Sequence, residues 1–168
     1  AGSGLRWAIK VHRSVTHVHR LNERGLEVLR KFLRLFEPMH GLIDFYLVQL
    51  PPNFALNEQS LRRLGDLASV ELGGGRFAVE FRHESWFTED AAREVSRLGL
   101  VFVSVDSPLG SYIYNSGGTV YLRMHGRSAW YAHDYTEAEL DEVIGRVIGL
   151  SPAQVYVFFN NDHWMLED

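Results

Sequence analysis

The sequence contains no cysteine. A disulfide framework and a thiolate-held metal are both excluded, and the absence fits a reducing, cytoplasmic setting. Lysine is nearly missing too. Lys10 and Lys31 are the only two, and arginine supplies the rest of the 17 basic residues, which raises the interest of Lys10. No apolar run approaches the roughly 20 residues of a membrane span. The opening Ala1-Gly2-Ser3-Gly4 lacks the basic segment and apolar core of a secretory signal. Positive charge is not in excess: 21 acidic residues outnumber 17 basic ones, for a net charge of −4. Nucleic acid is therefore a disfavoured partner, because a long phosphate track needs a basic surface. Several motifs are missing as well. There is no HExxH and no serine nucleophile elbow, and Gly73-Gly74-Gly75 precedes a strand, the wrong end for a phosphate loop. These residues specify no cofactor.

What remains is a globular composition, 46% hydrophobic and 23% charged over 168 residues, read as one domain spanning 1–168. Six β-rich runs of strand length recur at 6–11, 45–50, 77–81, 101–105, 120–124 and 155–159. Helical stripes separate most of them. Leu26, Leu29, Leu33 and Phe36 form one, and Leu61, Leu64 and Leu67 another, with Asn57 as its cap. Thr88-Glu89-Asp90 opens a third helix, and Thr136 caps a fourth. Alternating β and α with apolar strands predicts an α/β fold with a parallel sheet covered by helices. The spacing is close to that of a (β/α)8 barrel, in which ~250 residues serve eight units. Six βα units cannot close such a barrel, so the expectation is either an open six-stranded sheet or a barrel with about two units missing. The open edges of such a sheet can pair with another chain.

Side-chain alternation sorts each strand into two faces. Lys10 and His12 oppose Ile9 and Val11. Glu80 and Arg82 oppose Val79 and Phe81. Phe102, Ser104 and Asp106 oppose Val101, Val103 and Val105, while Arg123 and His125 oppose Leu122 and Met124. In the last strand Asn160 opposes Val155, Val157 and Phe159, and Gln49 ends the second strand. The apolar sets suit packing on helices. The polar sets fall late in each strand, at the C-terminal ends where α/β proteins carry their sites. Loops there add Thr16, His17, His19, His83, Trp86, Arg127, Trp130, Tyr131, His133, Asn161, Asp162 and His163. A bland alternative is a structural charge network of Glu80, Arg82, Arg123 and Asp106.

Val48-Gln49-Leu50-Pro51-Pro52, Val79-Glu80-Phe81-Arg82-His83-Glu84-Ser85-Trp86, Ser104-Val105-Asp106, Arg123-Met124-His125-Gly126-Arg127 and Phe158-Phe159-Asn160-Asn161-Asp162 together resemble the YecE-like family, domain of unknown function 72. Lys10-Val11, Ser14-Val15-Thr16-His17, Trp130-Tyr131 and Asp134-Tyr135-Thr136 fit the same pattern. The resemblance implies a TIM-like barrel. It also implies two further N-terminal βα units and a helix after the last strand. It brings no established activity.

The residues themselves suggest three classes of function. The first is an enzyme of hydrolase or isomerase type acting on a small anionic or sugar-like substrate. Glu80 or Asp106 would be the base and His125 or His12 its acid partner. Lys10, Arg82 and Arg123 would hold phosphate or carboxylate. Gln49, His83, Asn160 and Asn161 would bind substrate, and Trp86, Trp130 and Tyr131 would stack on a ring. Lys10 also has the inward position of a Schiff-base lysine, although a carboxylate beside it would hold it protonated. The second is a metal-dependent phosphoester or nucleic-acid hydrolase. Its ligands would come from His125, His83, Asp106, Glu80 and Asp162, with His17 and His19 as a further edge. The third is a non-catalytic domain that binds a nucleotide or a nucleic-acid end. In every case the partner is a small molecule or short end rather than a membrane.

Overall fold

The computed structural model describes residues 4–160. The chain divides into two compact units, residues 1–101 and 102–168. In the first unit, β1 (Trp7–Lys10), β2 (Ile43–Gln49) and β3 (Arg76–Glu80) form a parallel sheet. Helices α1 (Glu23–Arg34) and α2 (Glu58–Ala68) make the crossovers, and α3 (Glu89–Arg97) follows β3. Each helix begins where a side chain satisfies the free backbone N–H groups of its first turn. Asn22 Oδ1 accepts from the Gly25 N–H at 2.9 Å. Asn57 and Ser60 form a reciprocal capping box. Thr88 Oγ1 accepts from the Ala91 N–H at 3.2 Å. Of the expected stripes, Leu26, Leu29 and Leu33 on α1 and Leu64 and Leu67 on α2 are buried, whereas Phe36 and Leu61 are half-buried; Ala92 and Val95 on α3 are buried and Leu98, just after it, is exposed.

The second unit opens within β4 (Val101–Ser107) and continues with β5 (Gly110–Tyr112), β6 (Thr119–Met124), α4 (Glu137–Gly149) and β7 (Gln154–Phe159). Strands β4, β6 and β7 are parallel neighbours, and β5 turns back antiparallel on β4. Thr136 and Glu139 cap α4 with a second capping box. Val120, Leu122 and Met124 pack against Val143 and Val147 of α4 to make this unit's core.

All six expected strands are present, so the α/β reading with parallel strands holds. Hairpin strand β5, the π-helical turn at Ser14–Val18 and the two 3₁₀ turns at Glu37–Leu42 and Glu84–Trp86 were not anticipated. Such short pieces have no hydrophobic period to read. Among the described residues no helix is long and apolar enough to cross a membrane.

Two expectations about faces need correction. In β4, Val105 pairs with Arg123 and Asp106 with Met124. Partners in parallel register point to the same side of a sheet. Val103 and Val105 therefore share the face of Arg123, whereas Ser104 and Asp106 share the α4-facing side of Leu122 and Met124. The predicted alternation of this strand is reversed. In β7, Val155, Val157 and Phe159 are not covered as expected. They remain 46%, 45% and 61% exposed and border a groove of about 400 Å³ with Ile144 and Ile148 of α4.

Candidate functional site

At the strand ends of the first unit, register brings charge together. Lys10 pairs with Leu47, and Gln49 with Glu80, so Lys10, Gln49 and Glu80 occupy one face. Glu80 is completely buried. Arg82 Nε lies 2.6 Å from Glu80 Oε1, with its side chain only 8% exposed. The Nε–H does not point along that line, so the contact is a close ion pair rather than an aligned hydrogen bond. A buried carboxylate is retained at a strand end only with such compensation.

The π-helical turn adds His17, whose Nδ1 lies 2.8 Å from Thr16 Oγ1. Burial lowers the His17 pKa, and the positive charges of Arg13, Lys10 and Arg82 lower it further. His17 is thus a neutral imidazole surrounded by cations. From sequence it reads as a strand-end loop residue, as part of the Ser14-Val15-Thr16-His17 motif and as a metal edge with His19. Residues two apart in a helical turn do not face the same way, so that edge does not form.

Three other expected members of this group have local duties. His12 Nδ1 lies 2.8 Å from Ser14 Oγ and accepts from the Ser14 N–H, capping the π-helical turn. His83 Nδ1 does the same for the 3₁₀ turn, at 2.8 Å from Ser85 Oγ and 3.2 Å from the Ser85 nitrogen. Trp86 is not a substrate platform. It is fully buried and stacks on Phe81 and Phe54, and its indole N–H donates to the Phe54 carbonyl at 2.8 Å. Phe81 lies on the opposite side of β3 from Glu80, so the Trp86 ring belongs to the helix-facing core.

The strand ends of the second unit are built differently. His125 is fully buried. Asn160 Nδ2 donates to His125 Nδ1 at 3.2 Å, which places the neutral ring's proton on Nε2. Trp130 and Tyr131 lie 5.4 and 5.9 Å from the His125 ring, centroid to centroid. Arg123, two residues earlier in β6, is 8% exposed on the same face. The expected grouping of His125, Arg123, Trp130, Tyr131 and Asn160 is therefore present within this unit. Asn161, Asp162 and His163 lie outside the described residues.

Asp106 is not with them. Its carboxylate accepts from Arg127 Nε at 3.0 Å on the α4 side, and Arg127 Nη1 donates to Glu142 Oε2 at 2.8 Å. The hydrogen bond to Glu142, then Asp106, raises the Arg127 pKa further, so the guanidinium is permanently charged. The Tyr135 hydroxyl joins this knot. It accepts from the Gly126 N–H at 2.9 Å and reaches the Asp106 carbonyl at 3.4 Å, and burial raises its pKa. His133 ties the same loop to α4, with Nδ1 2.9 Å from Ser128 Oγ and Nε2 3.2 Å from Glu139 Oε1. Arg127 and Tyr135 lie in motifs quoted from the sequence, but no role was assigned to either there.

Among the described residues no three His, Asp or Glu side chains come together in a way that could hold a metal ion. The arrangement that is present offers a buried acid, a neutral imidazole among cations, and a separate imidazole framed by aromatic rings. These are parts for anion binding and proton transfer.

The chain matches the model of a protein family described as protein of unknown function DUF72, over residues 1–165. It is similar to the crystal structure of a DUF72 family protein from Thermotoga maritima MSB8, with 31% identity and a TM-score of 0.79. That match covers 94% of this chain and 67% of that one. Two crystal structures of a DUF72 family protein from Enterococcus faecalis V583 share the fold. One has 19% identity and a TM-score of 0.76, covering 94% of this chain and 68% of that one. The other has 21% identity and a TM-score of 0.73, covering 95% and 72%. A comparison with curated proteins finds no match.

Proposed function

This chain belongs to the DUF72 family, and from that premise we propose that it is part of an enzyme that binds a small anionic or sugar-like substrate and moves protons by general acid–base catalysis. We read the six βα units as a portion of a TIM-like barrel acting at the C-terminal ends of its strands. A cytoplasmic location goes with this reading, on the strength of the missing cysteines.

The observation that supports it best is the charge pattern at His17. Burial lowers the pKa of this imidazole, and Arg13, Lys10 and Arg82 lower it further. Glu80 pairs with Arg82, and an anion beside the ring would add to that compensation of the positive charge. A phosphate or carboxylate there would meet the arginines, which are able to bind it in bidentate fashion. It would also raise the His17 pKa, turning the ring into a proton donor beside the bound group. Glu80, buried and matched in register with Gln49, is the carboxylate suited to accept a proton on the same face.

Inorganic phosphate, followed by histidine NMR titration and thermal unfolding, tests this reading. A ligand at about 100 times its Kd adds roughly 2.7 kcal/mol of stability. The expected outcome is a raised Tm and an upward move of the His17 titration, both weakening with salt and both lost in Lys10→Ala. A His17 titration that ignores phosphate would overturn the assignment.

A further inference from the structure

The strand ends of the second unit carry an exposed aromatic residue on a strained backbone. Tyr131 has φ +65°, the left-handed region that glycine enters freely and a bulky residue does not. Its N–H is fastened to the His125 carbonyl at 2.8 Å. The loop before it is tight. Gly126 has φ +95°, and a Cβ there would come within 2.6 Å of both the Ala129 carbonyl oxygen and His133 Cβ. The Tyr131 ring does not return this strain through burial, because the residue is 39% exposed. Strain retained at an exposed aromatic residue beside a buried histidine is the signature of a ligand clamp rather than of a core position.

The surrounding geometry narrows the ligand. The Trp130 and Tyr131 rings are 6.0 Å apart and tilted by 46°, and they meet the His125 ring at 56° and 84°. No pair is parallel, so the rings form an open corner and cannot sandwich a flat base between them. Asn160 supplies a neutral amide. Its Nδ2 is engaged with His125, and its Oδ1 has no hydrogen bond among the described residues. The cation of the same loop, Arg127, is committed to Asp106 and Glu142. An aromatic platform and a neutral acceptor suit a ring with one apolar C–H face and hydroxyls at its edge.

We propose that Trp130, Tyr131 and Asn160 form a sugar-ring subsite, with the buried His125 holding Tyr131 and Asn160 in place and Tyr131 kept in the left-handed conformation to present its face. This rests on the sugar-like half of the substrate reading above and names the residues that would carry it.

Saturation-transfer NMR on the full chain with D-glucose, D-mannose and D-ribose tests the proposal. At least one sugar is expected to show ring-proton transfer. Tyr131→Phe is expected to retain it. Tyr131→Gly is expected to weaken it about tenfold, the size of one lost stacking contact, while its Tm is no lower than the parent's because glycine relieves the strain. Absence of transfer from all three sugars would overturn the proposal, as would unchanged binding in Tyr131→Gly. A Tm several degrees lower in Tyr131→Gly would also overturn it, since the ring would then be a packing element. The two readings fail separately. If phosphate still moves His17 while no sugar binds, only the sugar subsite falls. If sugars bind and phosphate does nothing, only the anion reading falls.

Discussion

The two units solve the same problem, a polar strand end, with opposite means. In the first unit the buried groups are charged: Glu80 is closed against Arg82, and further cations stand around His17. In the second unit the buried group is a neutral network, His125 with Asn160, walled by Trp130 and Tyr131. Its charged triad, Asp106 with Arg127 and Glu142, has moved to the α4 side. The contrast teaches that charge at a strand end is not by itself a site. At Arg127 two carboxylates, Asp106 and Glu142, close a structural knot. At His17 the charges that lower the ring's pKa are all positive, with Glu80 paired to one of them, and an anion is the ligand proposed to join them.

Substitutions can break this contrast or sharpen it. The largest effect is expected at Trp86. Its removal to alanine opens a cavity beside Phe81 and Phe54 and costs about 4 kcal/mol in chemical denaturation. The phosphate response of His17 should survive in the protein that remains folded, which separates this ring from the site. Next comes Arg82→Ala, which strips the guanidinium from a fully buried carboxylate and costs about 3 kcal/mol. Here the phosphate response should fall together with stability, and retention of full phosphate binding would show that Arg82 is only a structural partner. Asp106→Asn follows at about 2 kcal/mol, the scale of a charged hydrogen bond lost inside the Arg127 knot. Its expected signature is lower stability with phosphate and sugar binding unchanged, and a selective loss of binding would return Asp106 to the site.

The smallest effect is a pH dependence confined to the second unit. The Thr136 N–H, the Thr136 hydroxyl and His133 hold the Glu139 pKa below its ordinary value. A depressed carboxylate contributes stability that is fully present above the unfolded-state pKa and disappears as pH falls through the lower folded value. Acid unfolding of the parent should therefore steepen below the usual carboxylate range. Glu139→Gln should flatten that part of the profile, and an unchanged profile would show that the capping box carries no titrating contribution.

Much of this was legible in the residues, for reasons that also explain the failures. Lys10, Gln49 and Glu80 fall on one face because the irregularity in the β1–β2 register lies before Ala8 and the phase is kept from there to β3. The caps at Asn57, Thr88 and Thr136 were readable because a short polar side chain before an apolar stripe has one good use there. The phase of β4 was not readable. Every residue of Val101–Ser107 is buried, so alternation carries no distinction between inside and outside. The sequence also offered no warning of hairpin strand β5, which covers that strand's edge from Gly110 to Tyr112. Trp86 was misplaced because a loop aromatic after a strand resembles a substrate platform. The 3₁₀ turn at Glu84–Trp86 returns it to Phe81, five residues back. The cationic setting of His17 was not readable because it depends on Arg13, Lys10 and Arg82, and Arg82 is remote in sequence.

One feature at the opposite end of the first unit has a genetic consequence. Positions 73 to 75 press against the chain at His40 to Asp44. A Cβ on Gly74 would stand 2.3 Å from the His40 carbonyl oxygen, and one on Gly73 would stand 1.9 Å from the His40 ring. Any missense change in a glycine codon adds a Cβ, so neither site has a neutral first replacement. Their second steps differ. A lesion at Gly73 meets a side chain and should be suppressible by His40→Ala, whereas a lesion at Gly74 meets backbone and has no suppressor at position 40. A selection for second-site revertants would therefore return His40 changes from one glycine and none from its neighbour.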